Sequence, residues 1–337
     1  MRVSDFTYPL PEFAIAQEPI EPRHDSRLLD TRDLTDHRFL DLPELLEPGD
    51  LVVVNDTRVR SARLVGVKGG SGGSVELLVL APLSDGKWRA MARPSRRLRP
   101  GVRIEFPGLM ATIVEGPEDG LVVVDLEAGD VEDAMEAIGE VPVPPYFKGE
   151  LADPSRYQTM FARLTGSAAA PTAGLHFTRE VVAGLESRGI DVVAVDLHVG
   201  LDTFRPMAVE MIEDHRMHAE WCSVPEATVA AVTAAHDRGG AVVAIGTTVV
   251  RALESRVGPD GMLIPGAHET DLFLRPGHRF QVVDTLVTNF HVPGSTLMVL
   301  VATFMGETWR DAYHYALANG YRFLSFGDAM LARWHDR

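Results

Sequence analysis

Two hydrophobic periodicities occupy different stretches of this chain, and that division limits the possible folds more than any single residue does. Between 62 and 126, short β-prone runs follow one another at 62–67, 75–80, 87–92, 102–106, 110–114 and 121–126. Turn residues punctuate them: a Gly-Gly-Ser-Gly-Gly stretch at 69–73, Ser84-Asp85-Gly86, Pro100-Gly101, Pro107-Gly108 and Gly116-Pro117. Six strands at this spacing predict a small antiparallel barrel or sandwich. The glycine stretch lacks both the Gly-Lys-Ser/Thr ending of a P-loop and the GxGxxG spacing, so it reads as a flexible hairpin.

Elsewhere the pattern alternates between buried runs and helical segments. Strands are expected at 51–54, 192–195, 241–245 and 282–287, and helices at 130–138, 181–187, 225–238, 249–255 and 296–304. Strands alternating with helices indicate an α/β layer. Val141-Pro142-Val143-Pro144-Pro145-Tyr146 is extended and stiff, a natural border or hinge between units.

Hydrophobic residues make up 45% of the 337 and charged residues 24%, an ordinary globular balance. No apolar run approaches the ~20 residues that span a bilayer, so no membrane association is expected. Met1 to Leu10 carries Asp5 and Pro9 and no apolar core, so no signal peptide is expected. A single cysteine, Cys222, cannot make an internal disulfide, and a cytoplasmic location is expected. The net charge of −16 argues against nonspecific coating of nucleic acid. The charge is unevenly spread, however: 87–103 holds seven basic and no acidic residues, and 115–140 holds ten acidic and no basic ones. The basic run is either a phosphate-binding stripe or a solvated strand face.

Five polar segments fall at predicted element ends. Ala170-Pro171-Thr172-Ala173-Gly174-Leu175-His176-Phe177 combines small residues, which let a ligand approach the backbone, with a histidine. Asp196-Leu197-His198-Val199-Gly200 ends an apolar strand, where ligands of open α/β sheets gather. His215-Arg216-Met217-His218-Ala219-Glu220 has a permissive metal spacing but no cysteine pair or HExxH, and no metal is expected there. Gly246-Thr247-Thr248 starts the helix that carries Arg251 and Glu254, and Thr288-Asn289-Phe290-His291 runs from a strand end towards Ser295-Thr296. Each segment also has a plain reading as a cap, a turn or a packed polar residue. Together they put His176, His198 and His291 at successive strand ends of one layer, the pattern of a shared pocket with acid–base capacity.

At these residues the chain resembles the S-adenosylmethionine:tRNA ribosyltransferase-isomerase family of queuosine synthesis. The resemblance runs nearly end to end. It includes Asn55-Asp56-Thr57-Arg58-Val59, Pro144-Pro145-Tyr146, Arg156-Tyr157-Gln158-Thr159, the Ala170–Phe177 block and Leu197-His198-Val199-Gly200. It continues through Met217-His218-Ala219-Glu220, Arg251-Ala252-Leu253-Glu254, Thr288-Asn289-Phe290-His291 and Ser325-Phe326-Gly327-Asp328. It implies an α/β body with an inserted antiparallel β-barrel, divided here as body 1–58, barrel 59–148 and body 149–337.

The implied reaction uses S-adenosylmethionine as a ribosyl donor. The acceptor is the aminomethyl group of 7-aminomethyl-7-deazaguanine at the tRNA wobble position. The ribose is rearranged to an epoxycyclopentanediol, adenine and methionine depart, and no metal takes part. Such chemistry needs a base beside the sulfonium, a neutral amine and a proton for adenine; His176, His198 and His291 are the expected catalytic residues. Thr172, Gly174, Thr247, Thr248, Arg251, Glu254 and Asn289 are expected to bind substrate, with Asp56 and Arg58 from the far side of a cleft. Arg93, Arg96, Arg97 and Arg99 are the expected tRNA contacts, and a monomer is expected. Asp202 replaces a glycine usual in the family, Val249 stands where serine is common, and Val59-Arg60-Ser61-Ala62 replaces Val-Ile-Pro-Ala. Two other readings stand beside this one: a paralogue that transfers the ribosyl group to a small-molecule amine, and a non-catalytic binding module. The histidines at strand ends argue against the second.

Overall fold

The computed structural model of the chain describes all residues except 84, 119, 150, 152, 201–205 and 336–337. Asp202 therefore lies outside the described residues. Two compact units emerge: Met1–Thr57 with Pro144–Leu164 and Ala170–Arg337, and Arg58–Val143 with Thr165–Ala169. Residues Thr165–Ala169, expected in the body, group with the barrel.

The chain opens with β1 (Arg27–Asp30), β2 (Thr35–Arg38), α1 (Leu42–Leu45) and β3 (Leu51–Asn55). After β4 (Thr57–Val59) come β5 (Arg63–Lys68), β6 (Ser74–Pro82), β7 (Trp88–Arg93), β8 (Arg103–Phe106), β9 (Leu109–Glu118), β10 (Leu121–Glu127) and α2 (Val131–Ile138). β11 (Leu164–Ser167) pairs with β4. The rest is α3 (Arg179–Ser187), β12 (Asp191–Leu197), β13 (Glu220–Val224), α4 (Glu226–Asp237), β14 (Val242–Ile245), α5 (Thr247–Glu254) and β15 (Gly266–Thr270), then β16 (Thr285–Asn289), α6 (Thr296–Met305), α7 (Trp309–Ala318) and β17 (Ala329–Arg333).

The body is built on a nine-stranded sheet in the order β15-β13-β12-β3-β14-β16-β17-β1-β2. β12, β3, β14 and β16 are parallel neighbours. β3, β14 and β16 are buried at every position, which explains their unbroken apolar runs: strands covered on both faces show no alternation. Val52, Val54, Ile245 and Val287 share one core with Val181 and Leu185 of α3. β13, β15 and β2 pair antiparallel and β17 pairs antiparallel with β16 but parallel with β1; the sequence pattern does not mark these four strands. The strand expected at 282–287 begins only at Thr285. The reason is local: the N–H groups of Val282 and Val283 each donate to the Glu254 carboxylate at 3.0 Å instead of to a neighbouring strand.

The second unit contains a closed six-stranded antiparallel barrel, β10-β7-β6-β5-β8-β9, which decides between barrel and sandwich. Alternate residues point inward along each strand, among them Leu64, Leu77, Ala90, Ile104, Ile113 and Val124. Closure brings β5 against β8 so tightly that a Cβ on Gly66 would sit 2.5 Å from the Phe106 ring and 2.7 Å from the Glu105 carbonyl. Glycine is required there by close approach.

The Arg60 departure is accommodated within this unit. Its guanidinium is buried and bidentate to Glu132 at 2.7 and 2.8 Å, and it lies 5.0 Å from the centroid of the Trp88 ring. Removing Glu132 would leave a buried cation unpaired, whereas removing both partners would not. Glu132→Ala is expected to lower barrel stability by about 1–3 kcal/mol, discounted for the half-exposed carboxylate. Adding Arg60→Ile should recover more than half of that loss in urea unfolding. An unchanged midpoint for the single variant would contradict the pairing argument.

Candidate functional site

The carboxyl ends of β12, β3, β14 and β16 lie on one edge of the body sheet, the edge where open α/β sheets form ligand clefts. β3 ends in Asn55, a buried amide closing an all-valine run. Its Oδ1 accepts from the N–H of Leu197 (3.1 Å) and of Thr57 (3.1 Å), and its Nδ2 donates to the Leu197 carbonyl (3.0 Å) and the Thr248 hydroxyl (3.4 Å). A buried polar group must be paired, and in doing so Asn55 ties the end of β3 to the end of β12, the start of β4 and the start of α5. β14 ends at Gly246, whose φ of +94° turns the chain directly into α5. Thr247 and Thr248 open that helix at the cleft.

The cleft encloses about 540 Å³ including its open mouth. Its polar lining is made of hydroxyls, one amide and one imidazole: Tyr146, Thr172, Thr247, Thr248, Thr288, Asn289, His291, Ser295 and Ser325. Among the described residues that line it there is no carboxylate, guanidinium or ammonium group. Tyr146 and Ser325 share a hydroxyl hydrogen bond of 2.5 Å, and burial raises the Tyr146 hydroxyl above its ordinary range.

Asn289 anchors the floor. Its Oδ1 accepts from the Thr172 hydroxyl (2.8 Å), and its Nδ2 donates to His176 Nε2 (3.1 Å). That donation makes Nε2 an acceptor, so His176 carries its proton on Nδ1 and donates it to Ser26 Oγ (2.7 Å). The ring stacks on Phe39 with centroids 4.9 Å apart. Burial, then the charges of Arg322 and Arg23, push the His176 pKa down to about 3. His176 does not line the cleft but holds the amide that does; both of its ring nitrogens are occupied.

His291 lines the cleft itself. Its Nε2 meets Thr288 Oγ1 at 2.9 Å, and its Nδ1 has no hydrogen-bond partner among the described residues. Its backbone is clamped by two tyrosines: the Tyr8 hydroxyl donates to its carbonyl at 2.5 Å, and its N–H donates to the Tyr313 hydroxyl at 3.1 Å. Burial pushes its pKa down to about 3. His198 lies outside the lining, although its neighbour Val199 belongs to it. Its ring packs on Trp221 with centroids 4.5 Å apart, and its Nε2 is 3.4 Å from the buried Asp196 carboxylate.

Several expected substrate contacts are committed elsewhere. Arg251 is buried and paired with Glu220, and its remaining nitrogens reach the carbonyls of Leu272 (3.2 Å) and Thr270 (3.4 Å). Glu220 also accepts from the Gly200 N–H (2.7 Å), so the carboxylate of the histidine-rich segment serves an ion pair. No metal-binding group occurs among the described residues. Glu254 accepts from the N–H groups of Gln281, Val282 and Val283 and so caps a loop; it does not pair with Arg251. Asp56 is buried against Arg163 (2.7 Å); burial raises its carboxyl and Arg163 opposes the shift. Gly174 packs beside Thr159 and does not line the cleft. In the other unit, Arg58 pairs with Glu136 at 3.2 Å. Arg93, Arg96, Arg97 and Arg99 are exposed at the end of β7 and in the following loop, with no ion pair among the described residues. Sequence reasoning passed over Asn55, Tyr146 and Ser325 as site residues. Each stood inside a quoted motif, and the available signal was a polar residue abutting an apolar or proline-rich run.

His176 and His291 generate a pH prediction. The fold lowers both pKa values from 6.5 to about 3, so it favours the neutral rings. Their contribution to stability is full above pH 6.5 and is lost as pH falls towards 3. Unfolding at pH 5 should take up about two more protons than at pH 8 from these groups. This adds up to about 2.7 kcal/mol per pH unit to the acid branch. Ring signals assigned to His176 and His291 that titrate near 6.5 in the folded protein would refute it.

A sequence model described as "Queuosine biosynthesis protein" matches residues 3–332. The S-adenosylmethionine:tRNA ribosyltransferase-isomerase of Moorella thermoacetica is 48% identical over 340 residues, covering 98% of this chain and 99% of that protein. The protein of the same name from Anaeromyxobacter dehalogenans is 50% identical over 343 residues, with 98% and 99% covered. A crystal structure of S-adenosylmethionine tRNA ribosyltransferase from Thermotoga maritima aligns with a TM-score of 0.55 at 35% identity, covering 97% of this chain and 99% of that one. With the match running from one end of the chain to the other, this protein belongs to the queuosine biosynthesis protein family.

Proposed function

We propose that this chain is an S-adenosylmethionine:tRNA ribosyltransferase-isomerase acting in the cytoplasm as a monomer. It moves the ribosyl group of S-adenosylmethionine onto 7-aminomethyl-7-deazaguanine at the tRNA wobble position, with rearrangement to epoxyqueuosine and loss of adenine and methionine. The observation that carries this reading is identity of about one half, over nearly the full length, to relatives that bear that name.

The charge-free cleft supports the chemistry. A carboxylate beside the sulfonium would stabilise the substrate cation and make the adjacent C–H harder to ionise. His291 is the base in this reading, because it lines the cleft and its Nδ1 is unclaimed among the described residues. Proton transfer from the carbon next to sulfur to Nδ1 turns a buried sulfonium into a neutral ylide and a neutral imidazole into a cation. The net charge of the cleft is unchanged, so the burial that depresses His291 is offset as the new carbanion cancels the adjacent sulfonium charge. The acquired proton is then available to departing adenine. Asn289 and Thr172 present an amide and a hydroxyl to a base edge, with His176 and Ser26 as their support. The exposed arginines of the barrel are the tRNA phosphate contacts.

The direct test is incubation with S-adenosylmethionine and an anticodon stem-loop bearing the aminomethyl base, with mass spectrometry of RNA, adenine and methionine. Modified RNA with stoichiometric adenine and methionine is expected. Absence of RNA product while S-adenosylmethionine binds would overturn the tRNA reading in favour of a small amine acceptor. His291→Gln should lower turnover by about 10²-fold or more while S-adenosylmethionine still binds. Arg96→Gln with Arg97→Gln should weaken RNA binding and reduce its salt slope by about 1 to 2. A small-substrate enzyme would be indifferent to that pair.

A further inference from the structure

A second cavity of the body has a chemistry opposite to that of the cleft. It encloses about 280 Å³ and includes Ser325, which also lines the cleft, and His176, whose other side holds Asn289. Arg23 and Arg156 line it, and its apolar wall includes Pro19, Ile20 and Phe326. No carboxylate is among its lining residues.

The two guanidiniums are fixed before any ligand arrives. Arg23 donates to the carbonyls of Gln158 (2.8 Å) and Ser155 (3.2 Å), and Arg156 donates to the carbonyl of Ile20 (3.3 Å). These contacts use only part of the five N–H donors of each group. The two like charges oppose each other: the Arg23 pKa is lowered first by burial and next by Arg156. Glu21 pairs with Arg156 at 2.6 Å, and Glu21 and Asp153 both oppose the lowering at Arg23, but both carboxylates are exposed and offset only part of the charge. Two partly buried cations held near one another over a cavity make a site for an oxyanion.

Resting on the tRNA reading above, we propose that this cavity binds a backbone phosphodiester of the substrate RNA, with Arg23 and Arg156 facing its anionic oxygens and Phe326, Pro19 and Ile20 walling the adjoining nucleoside. The other oxyanion at hand, the carboxylate of the methionyl group, fits less well. It brings an ammonium within a few bonds, and the lining offers two repelling guanidiniums and no carboxylate to receive it. A phosphodiester carries no such cation. The shared serine and the His176–Asn289 contact place the site beside the reacting cleft, where an RNA strand that delivers one base must also put its flanking phosphates.

The test is a cycle between protein and RNA. Binding of an anticodon stem-loop is measured against salt for the unaltered protein, Arg156→Gln and Arg156→Lys. The RNA is used either unmodified or with a neutral methylphosphonate at the linkage on the 5′ or the 3′ side of the target nucleotide. Arg156→Gln should weaken binding of the unmodified RNA about tenfold and lower the log–log salt slope by about 0.7–0.9. Arg156→Lys should keep the slope, and S-adenosylmethionine affinity should stay within about twofold. With one of the two methylphosphonate RNAs, Arg156→Gln should lose no further affinity. Additive losses with both RNAs, or an unchanged slope, overturn the proposal. Weakened S-adenosylmethionine binding with unchanged RNA binding overturns it in favour of the carboxylate. Should Arg156→Gln not fold, the methylphosphonate RNAs on the unaltered protein decide: no loss of slope at either linkage overturns the proposal. Failure of the unaltered protein to bind unmodified RNA would sink the tRNA reading itself.

Discussion

The strand Leu51–Asn55 is hydrogen-bonded on both edges by strands that the chain reaches only after completing the barrel. All five of its residues are buried, and its last one, Asn55, bonds to the strand end at Leu197 and the helix start at Thr248. The central body sheet therefore exists only when the two separated parts of the chain meet. A long loop closure must be completed before those contacts form, and the closed barrel shortens that loop by folding it locally. The cleft inherits its geometry from the same strand, because the ends of β12 and β3 and the start of α5 are tied through one amide.

Charge is excluded from the cleft by being consumed around it. Arg251 is paired with Glu220 and Asp56 with Arg163, while Glu254 is held by a row of backbone N–H groups. Leaving any of these buried charges without a partner would cost several kcal/mol. What remains for a ligand is a set of hydroxyls, one oriented amide and the His291 ring. Such a lining offers hydrogen bonds but, among the described residues, no charged side chain. A second cavity, carrying two arginines, stands next to it in the same unit, so neutral and cationic surfaces divide the work.

Much of the fold was legible in the residues. The six short runs between turns became the six barrel strands, and the buried valine runs became parallel strands covered on both faces. What the pattern hid were edge strands such as β13 and β15, whose mixed composition carries little periodicity. The strand start at Thr285 was hidden too, because a distant carboxylate takes the preceding N–H groups. Arg251 and Glu254 do not pair with each other for a similar reason. Residues three apart on a helix are neighbours, but a strand residue with a better-placed carboxylate outcompeted the local partner.

The sequence by itself determined the two kinds of layer, the family, and the blocks in which polar residues meet strand ends. Those are properties of local pattern and ordered motifs, and they survive without coordinates. Only the tertiary structure decided which polar side chains face a ligand. It set His291 in the cleft wall, His176 behind Asn289 with both nitrogens engaged, and His198 beside Asp196 and Trp221. The physical reason is that a polar residue in a compact fold must find a partner, and partners come from strands far apart in the chain. Residue type announces the capacity for chemistry; the neighbours supplied by folding determine whether that capacity is spent on the protein or left for a substrate.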